Sequence, residues 1–597
     1  MTMELPPLLT CQPNFENLRL KNAVYVDKTM YFPMLNKVND FVFCARPRRF
    51  GKSLTVTALD AFYSGNREVF RGLAAEREMN SPEFIARPVI RMDMSDVAGS
   101  RNIGILEQKI LGRLGVNARR HEVPLRGADS ADAFLFLIED VKNVKGKNIV
   151  ILIDEYDAPV ISVLQKPKSS FQRNLLSESR EIMRNFYSKI KSAAEHIDFV
   201  FITGVTKFSR MAVFSSLNNL IDISLEPNFG AFMGYTQQEL EKNFKPFIAE
   251  ASNTLKISEK EVLEQIKTYY DGFSFDGETR LYNPFSVLSF FASARKGFLS
   301  YWMKSGSNTL IRNFLKDQAI TADQFQGMVV DADFASDPGE IDSTPPEGFL
   351  YQSGYLTLRI RTDDSFTLDY PNLEVRKAFS SLFLQNLAPE SSWSGIDAAG
   401  SELKQCLEAV DVPGMVDVFI RLFADISYED HSKADRKPAT GVLARIIRKV
   451  GLFLPWGKER KLSESLAELF RRKMGEGFYL SVLHSALSMA GAKVTPERHV
   501  GLGRIALLVD FGAVIYVIEV KMTDDTQGGE ISALAGMSQI RERRYGRAFK
   551  NPVLVSLAIG REERNIVACR FEVDGKESSV EIHDPGNPAE VQGDSQD

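Results

Sequence analysis

Four cysteines in 597 residues is a sparse supply, and their placement narrows the chemistry. Cys11, Cys44, Cys406 and Cys569 lie far apart, with neither zinc-ligand spacing nor a disulfide framework. A reducing cytoplasm is the expected setting. Long apolar runs are missing too: no stretch approaches the ~20 residues that span a bilayer. The N-terminus has no basic stretch followed by an apolar one, so no signal peptide is expected. No repeat recurs at solenoid periods. A net charge of −5 argues against a protein that coats nucleic acid over its whole surface, and leaves local basic patches open. What is present is ordinary for globular chains, 44% apolar and 25% charged residues, with length for two or three domains.

The segment Arg46-Pro47-Arg48-Arg49-Phe50-Gly51-Lys52-Ser53 follows the apolar run Phe41–Ala45 and precedes a helix-like stretch, Leu54 to Tyr63. Strand, tight loop, Gly-Lys-Ser and helix form the context of a P-loop. Backbone N–H groups at the helix start would face phosphate oxygens. Lys52 would bind the β- and γ-phosphates and Ser53 would coordinate Mg²⁺. The usual pattern opens with Gly five residues before the second Gly, and Arg46 stands there instead. A solvated basic turn is the plain alternative. The run Ile149-Val-Ile-Leu-Ile153 ends in Asp154 and Glu155, as a central parallel strand would at its ligand-binding edge. Asp154 would hold Mg²⁺ and Glu155 would polarise the attacking water. A third strand, Phe199 to Thr206, leads into Lys207, Phe208, Ser209 and Arg210. Thr203 or Thr206 would sense the γ-phosphate, and Lys207 or Arg210 would stabilise developing charge; an ordinary strand end with a basic turn fits equally.

Tyr25-Val-Asp-Lys-Thr29, the arginine-rich loop, Ile153-Asp-Glu-Tyr-Asp157 and Gly204-Val-Thr-Lys-Phe-Ser209 come in order along the chain. Leu217-Asn-Asn-Leu220, Tyr269-Tyr-Asp-Gly-Phe273, Tyr282-Asn-Pro-Phe285 and Gln352-Ser-Gly-Tyr-Leu356 follow. Together they resemble the AAA-ATPase-like family of bacterial and archaeal proteins over roughly residues 10–360. The resemblance implies ATP and Mg²⁺ as ligands, and a nucleotide cradle of Arg46, Pro47, Arg48, Arg49, Phe50, Gly51, Lys52, Ser53 and Leu54. It also makes the missing first Gly a trait of the family. ATP over GTP rests on the resemblance, since no Asn-Lys-x-Asp guanine-reading motif occurs. Such proteins commonly carry a C-terminal domain of the PD-(D/E)XK nuclease superfamily.

Residues 470–572 resemble that domain in order. An amphipathic helix over 476–491 precedes a hairpin, Gly503 to Val509 and Val514 to Lys521. A basic helix with Gln539 and the strand Pro552–Leu557 follow. Glu519 and Lys521 occupy the Glu-x-Lys places, on one face of their strand, but the expected Asp position holds Ala506. A four-residue turn at 510–513 would set Ala506 opposite Val517. Asp510, roughly 13 Å further along at about 3.3 Å per residue, is too far to replace it. One carboxylate holds Mg²⁺ weakly, so the nuclease site is expected to be degenerate; Glu476 is the one candidate replacement ligand.

The expected architecture is α/β: a P-loop NTPase parallel sheet over 1–240, a helical lid region over 241–400 entered at an N-cap on Thr236, and a helical connector over 401–474. A restriction-endonuclease-like α/β domain over 475–573 and a disordered acidic tail over 574–597 complete it. Residues 336–348 read as loop. The connector carries a basic stretch over 433–473, suited to a nucleic-acid backbone, to an anionic membrane surface, or to plain solvation. The expected function is a Mg²⁺-dependent ATPase coupled to a degenerate nuclease-like module that binds DNA or RNA. An active ATP-gated nuclease and a nucleotide-binding assembly switch are the alternatives, with a homo-oligomer as one partner state.

Overall fold

The computed structural model describes residues 5–97, 102–164, 170–207, 219–303, 324–331, 345–362, 365–388, 390–426, 478–496, 506–524, 528–542 and 549–582, with 214, 217, 311, 312, 315 and 334 as single or paired positions. The basic stretch 433–473, Glu476 and Arg210 lie outside the described residues. Two compact units divide the chain: residues 1–314 with 325–375, and residues 315–324 with 376–597. The segment 376–400, expected with the helical region, therefore goes with the C-terminal unit.

The first unit is built on a parallel sheet of β1 (Phe41–Ala45), β2 (Val89–Asp93), β3 (Ile149–Asp154), β4 (Ile197–Gly204) and β5 (Ile221–Asp222), in the order β2-β3-β4-β1-β5. The apolar runs explain this arrangement: all residues of β1 and β3 are buried, as strands covered on both faces must be. On one face Phe43, Met92, Ile151, Ile153 and Ile202 form a core with helices Ile103–His121, Ser130–Lys145 and Ser170–Ser192. The helix Lys52–Tyr63 covers the other. Because β4 lies between β1 and β3, three strand ends meet at one edge of the sheet.

Helices Gln237–Leu255, Glu259–Tyr270 and Pro284–Ala292 follow. Thr236 caps the first with a full capping box: its side chain accepts from the Glu239 N–H, and Glu239 accepts from the Thr236 N–H. The region expected to be helical also holds an antiparallel sheet of β6 (Met328–Asp331), β7 (Thr357–Thr362) and β8 (Ser365–Asp369). The alternating burial of Ser-Phe-Thr-Leu-Asp in β8 is a period-2 signal. Of the expected loop 336–348, residues Pro346 onward instead begin the helix Pro346–Gln352.

In the second unit, helices Trp393–Ala409 and Val412–Asp425 accompany a six-stranded sheet. Its strands are β9 (Lys493–Pro496), β10 (Ala506–Phe511), β11 (Val514–Thr523), β12 (Val553–Gly560), β13 (Ile566–Val573) and β14 (Lys576–Val580), in reverse sequence order across the sheet. Only β11 and β12 pair in parallel, and the helix Gly529–Glu542 makes the crossover between them. Three expectations are corrected here. The helix over 478–490 is buried at every residue from 479 on, so it is a core helix and not an amphipathic one. The hairpin closes with Phe511 opposite Val514, a two-residue Gly512-Ala513 turn in place of 510–513. The chain from 574 begins with an Asp574-Gly575 turn into β14, a hairpin signal in a segment expected to be disordered; residues 583–597 lie outside the described residues.

Candidate nucleotide site and the nuclease-like site

The loop after β1 is held from several sides. Gly51 adopts a left-handed backbone with φ 89°, a conformation glycine takes without strain, and this opens the helix at Lys52. Pro47 packs so closely on Gly354 that a Cβ there would come within 2.7 Å of it. Phe50, 1% exposed, is gripped edge-on by Phe273 and Phe275, with centroids 4.9 and 5.3 Å away. The Trp302 indole N–H donates to the Arg48 carbonyl at 3.4 Å. Two of the sequence strings downstream of the sheet, 269–273 and 352–356, thus serve to fix the loop.

Arg46 does not join the phosphate cradle with its side chain, contrary to expectation. It is 1% exposed and its guanidinium points back into the protein. Nη1 donates to Ala45 O (3.0 Å) and Ser224 O (2.7 Å), Nη2 donates to Phe229 O (3.1 Å), and the Phe275 ring lies 4.1 Å from the head group. Glycine could satisfy none of these carbonyls. Arg49 has φ 70° and stacks over Phe285 at 4.9 Å.

A cleft of about 450 Å³ runs over the loop, lined by Arg48 through Thr55 and by Glu155. Lys52 is 5% exposed, and its Nζ donates to Pro47 O at 3.0 Å. Burial lowers its ammonium pKa, against the pull of Glu155, Asp154 and Asp157. Burial drives the Asp154 carboxyl up to about 6, while the hydrogen-bonding Ser53 hydroxyl and the Lys52 charge hold it down. Oδ1 of Asp154 is buried with no hydrogen-bond partner. Glu155, raised by burial, takes a left-handed backbone with φ 51°, a strain of order 1–3 kcal/mol kept where the fold demands it. The chain turns sharply there, so Asp154 stays inside and Glu155 lines the cleft.

The end of β4 is committed to the frame. Thr203 is fully buried and its hydroxyl donates to Cys44 O at 2.6 Å. Thr206 donates N–H and hydroxyl to Asp157 Oδ2 at 2.8 and 2.7 Å. Lys207 forms a buried ion pair with Asp222 at 3.0 Å. These groups join the strand ends of β3, β4, β1 and β5; the expected sensor hydroxyl of Thr203 and the charge of Lys207 already have protein partners.

The other wall of the cleft had no signal in the sequence. Leu9 to Pro13, Val24, Tyr235 and Leu288 are part of it, and their apolar members give surface of the kind that a nucleotide base packs on. Thr57 on the loop's own helix sets this wall: its hydroxyl donates to Pro13 O at 2.7 Å and accepts from Phe15 N–H at 3.1 Å.

In the second unit, Ala506 pairs directly with Glu519 across the hairpin, not with Val517. The residue facing the surviving carboxylate is therefore alanine, and exposed Asp510 pairs with Ile515, four residues away. Glu519 is fully buried. Lys521 Nζ donates to Glu519 Oε1 at 2.8 Å and to Gln539 Oε1 at 2.5 Å, so Glu519, Lys521 and Gln539 do come together. Below them Val517, Met537, Ile540 and Leu554 form the core between hairpin and crossover helix.

Strand order, loop and acid pair define a P-loop NTPase-type domain, and the hairpin with its crossover defines a restriction-endonuclease-like one. Residues 11–214 match the AAA-ATPase-like family, described as predicted AAA-ATPases, and residues 474–569 match the PD-(D/E)XK nuclease superfamily. The chain carries both domains, in that order. It is also similar, at 28% identity over 557 residues, to a protein described as uncharacterized in the vnfD 5′ region of Azotobacter chroococcum mcd 1. The similarity covers 92% of this chain and 95% of that relative. No described helix is long and apolar enough to cross a membrane.

Proposed function

We propose that the chain binds and hydrolyses ATP with Mg²⁺ at the loop 46–54, and that its C-terminal domain is a nuclease-like module that has lost cleavage and binds nucleic acid. The observation that carries the first part is the buried, unpartnered Oδ1 of Asp154 beside Ser53. An orphaned carboxylate oxygen in the interior is costly, and a hard cation held by Ser53 and Asp154 would remove that cost. When bound, Mg²⁺ would neutralise charge on the β- and γ-phosphate oxygens. Lys52 would leave Pro47 O for those oxygens, Gly51 to Ser53 would offer N–H groups to them, and the apolar wall would take the base. Glu155 would orient the attacking water and accept its proton. Thr203 would act behind these groups, holding β4 to β1. Four cysteines that remain free thiols suit a reducing cytoplasm.

The test is Mg²⁺-dependent ATP hydrolysis by the parent, Lys52→Ala and Glu155→Gln proteins, with and without DNA or RNA. Turnover in the parent, lost in both variants, is the expected result. Tight ATP binding with no turnover would instead favour a binding switch.

For the C-terminal part the support is alanine opposite Glu519 and a lysine closed onto it. Two acids and a lysine are needed to place metal and water at a phosphodiester. The parent is expected to bind nucleic acid without cutting it, and Ala506→Asp is expected to gain Mg²⁺-dependent cleavage. Cleavage by the parent would refute the degenerate reading.

A further inference from the structure

The cleft holds four cations, and their surroundings differ. Lys28 has Nζ on both Glu239 oxygens at 2.7 Å and on Ala231 O at 2.8 Å. Arg49 lies over Phe285, and Lys52 sits at the head of the helix. Arg48 is half-buried and lines the cleft with Lys52, Ser53 and Glu155. It is near enough for its charge to act on both Lys52 and Glu155. Among the described residues, the hydrogen bond at Arg48 is received by its main-chain carbonyl, from Trp302, and none is made by its guanidinium. Its backbone is meanwhile immobilised: Pro47 is pressed on Gly354 and Phe50 is clamped by two rings. A charged head group that makes no hydrogen bond among the described residues, on a loop packed from several sides and beside Glu155, is preorganised for charge that appears only during reaction.

We propose that Arg48 is a catalytic residue, the arginine that stabilises the transition state of ATP hydrolysis, supplied by the same chain that binds the nucleotide. The inference rests on the ATPase reading above. As the water oxygen bonds to the γ-phosphorus, the bond from that phosphorus to the β,γ-bridging oxygen breaks. Its electron pair leaves with ADP, and the water proton passes to Glu155. Negative charge spreads over the γ-phosphoryl and bridging oxygens, where the planar guanidinium fork can donate two hydrogen bonds. An arginine in this role contributes on the order of 10³–10⁵ in turnover. Arg48→Lys keeps the charge and loses the fork, so it recovers only a small part.

The experiment measures three quantities on parent, Arg48→Ala and Arg48→Lys proteins: kcat, affinity for MgATP, and affinity for MgADP with aluminium fluoride, which mimics the transferring phosphoryl group. Arg48→Ala is expected to lose about 10³-fold in kcat. Its ATP affinity should stay within about fivefold of the parent, and its affinity for the fluoride complex should fall with kcat. Mixing Arg48→Ala with Glu155→Gln protein should restore nothing, because each site lacks a group that its own chain must provide. ATP affinity falling as far as kcat would overturn the proposal in favour of ground-state phosphate binding, and rescue on mixing would overturn supply in cis. A parent that turns over beside an equally active Arg48→Ala would refute this inference alone. A parent without turnover would remove the ATPase reading and this inference together.

Discussion

Replacing Arg46 with glycine would give the loop the residue that P-loops usually carry there, and should weaken the protein. The guanidinium donates three hydrogen bonds to buried carbonyls, Ala45 O, Ser224 O and Phe229 O, and faces the Phe275 ring at 4.1 Å. Hydrogen bonds to a charged group are worth about 1.5–3 kcal/mol each, and a desolvated cation–π contact about 2 kcal/mol. Against this stands the several kcal/mol needed to strip water from the guanidinium, which the variant recovers. The vacated cavity and the freer glycine backbone add to the loss. The expected net destabilisation is about 3–5 kcal/mol, in line with removing one partner of a buried polar network. At ~2 °C per kcal/mol for a large domain, thermal unfolding of the first unit should move down by about 6–10 °C. Arg46→Lys should lie between, since a single ammonium cannot span the carbonyls that Nη1 and Nη2 reach separately. Differential scanning fluorimetry with and without MgATP reads both stability and nucleotide binding. An Arg46→Gly protein that melts with the parent and binds ATP more tightly would refute the reasoning, because it would make Arg46 a poor cradle residue and not a clamp.

Burial holds Asp154 protonated up to about pH 6, and a protonated acid is a poor Mg²⁺ ligand; apparent Mg²⁺ affinity, measured by titration at fixed ATP, should therefore fall about tenfold per pH unit below 6 and be flat above 7. Glu374 is fully buried and its carboxyl is pushed up to about 7 by burial, with Trp302 N–H donating to Oε1 at 2.6 Å. Its raised value means that the folded state binds a proton that the unfolded state releases from about pH 4.5. The contribution is thus complete below 4.5 and is lost as pH rises through 7. Glu374→Gln should remove that slope and be more stable than the parent at pH 8 by up to about 3 kcal/mol, read from melting curves across pH. Asp157→Asn keeps the shape but weakens the grip on Thr206 N–H and hydroxyl, so a loss of about 1–3 kcal/mol with reduced kcat is expected; unchanged melting would show that the strand ends do not depend on this tie. Thr57→Val removes the hydroxyl that sets Pro13 and Phe15, and should raise the Kd for ATP several-fold while leaving inorganic triphosphate binding unchanged.

What could be read from the sequence was local, and what could not was made by distant contacts. An unbroken aliphatic run ending in Asp154-Glu155, and a strand running into Gly51-Lys52-Ser53, carry their meaning within ten residues, because a buried parallel strand and a helix N-terminus need only neighbours to declare themselves. The role of Arg46 depends on Ser224 and Phe229, 178 and 183 positions away. No periodicity reports that a residue in a phosphate loop faces inward. The cleft lining at Leu9–Pro13 depends likewise on Thr57, 42 positions from Phe15. Two of the differences do have local signals. Asp574-Gly575 marks a tight hairpin, outweighed by the acidic composition around it. In Asp510-Phe-Gly-Ala513, the glycine fits a two-residue turn as well as a four-residue one, and the two-residue turn sets Ala506 opposite Glu519 and not Val517.

The corrected register strengthens the contrast between the two phosphate-directed sites. Each needs carboxylates gathered around a hard cation, and burial makes that gathering costly unless the ion or another charge is present. At the nucleotide site the Asp154 carboxyl has its proton affinity raised by burial, against the Ser53 hydroxyl and the Lys52 charge, and on the proposed reading a cation from outside would relieve it. At the hairpin, Glu519 has that charge supplied from within the protein: Lys521, two residues on, reaches its Oε1 and is itself anchored on Gln539. With alanine opposite, a cation would find one acid already neutralised. Lysine in an active nuclease orients water beside the metal; on the proposed reading the same side chain here takes the place of the metal's charge. On the proposed reading the domain would keep its fold and offer its surface to nucleic acid without the ion that cleavage requires, and hydrolysis would fall to the nucleotide site alone.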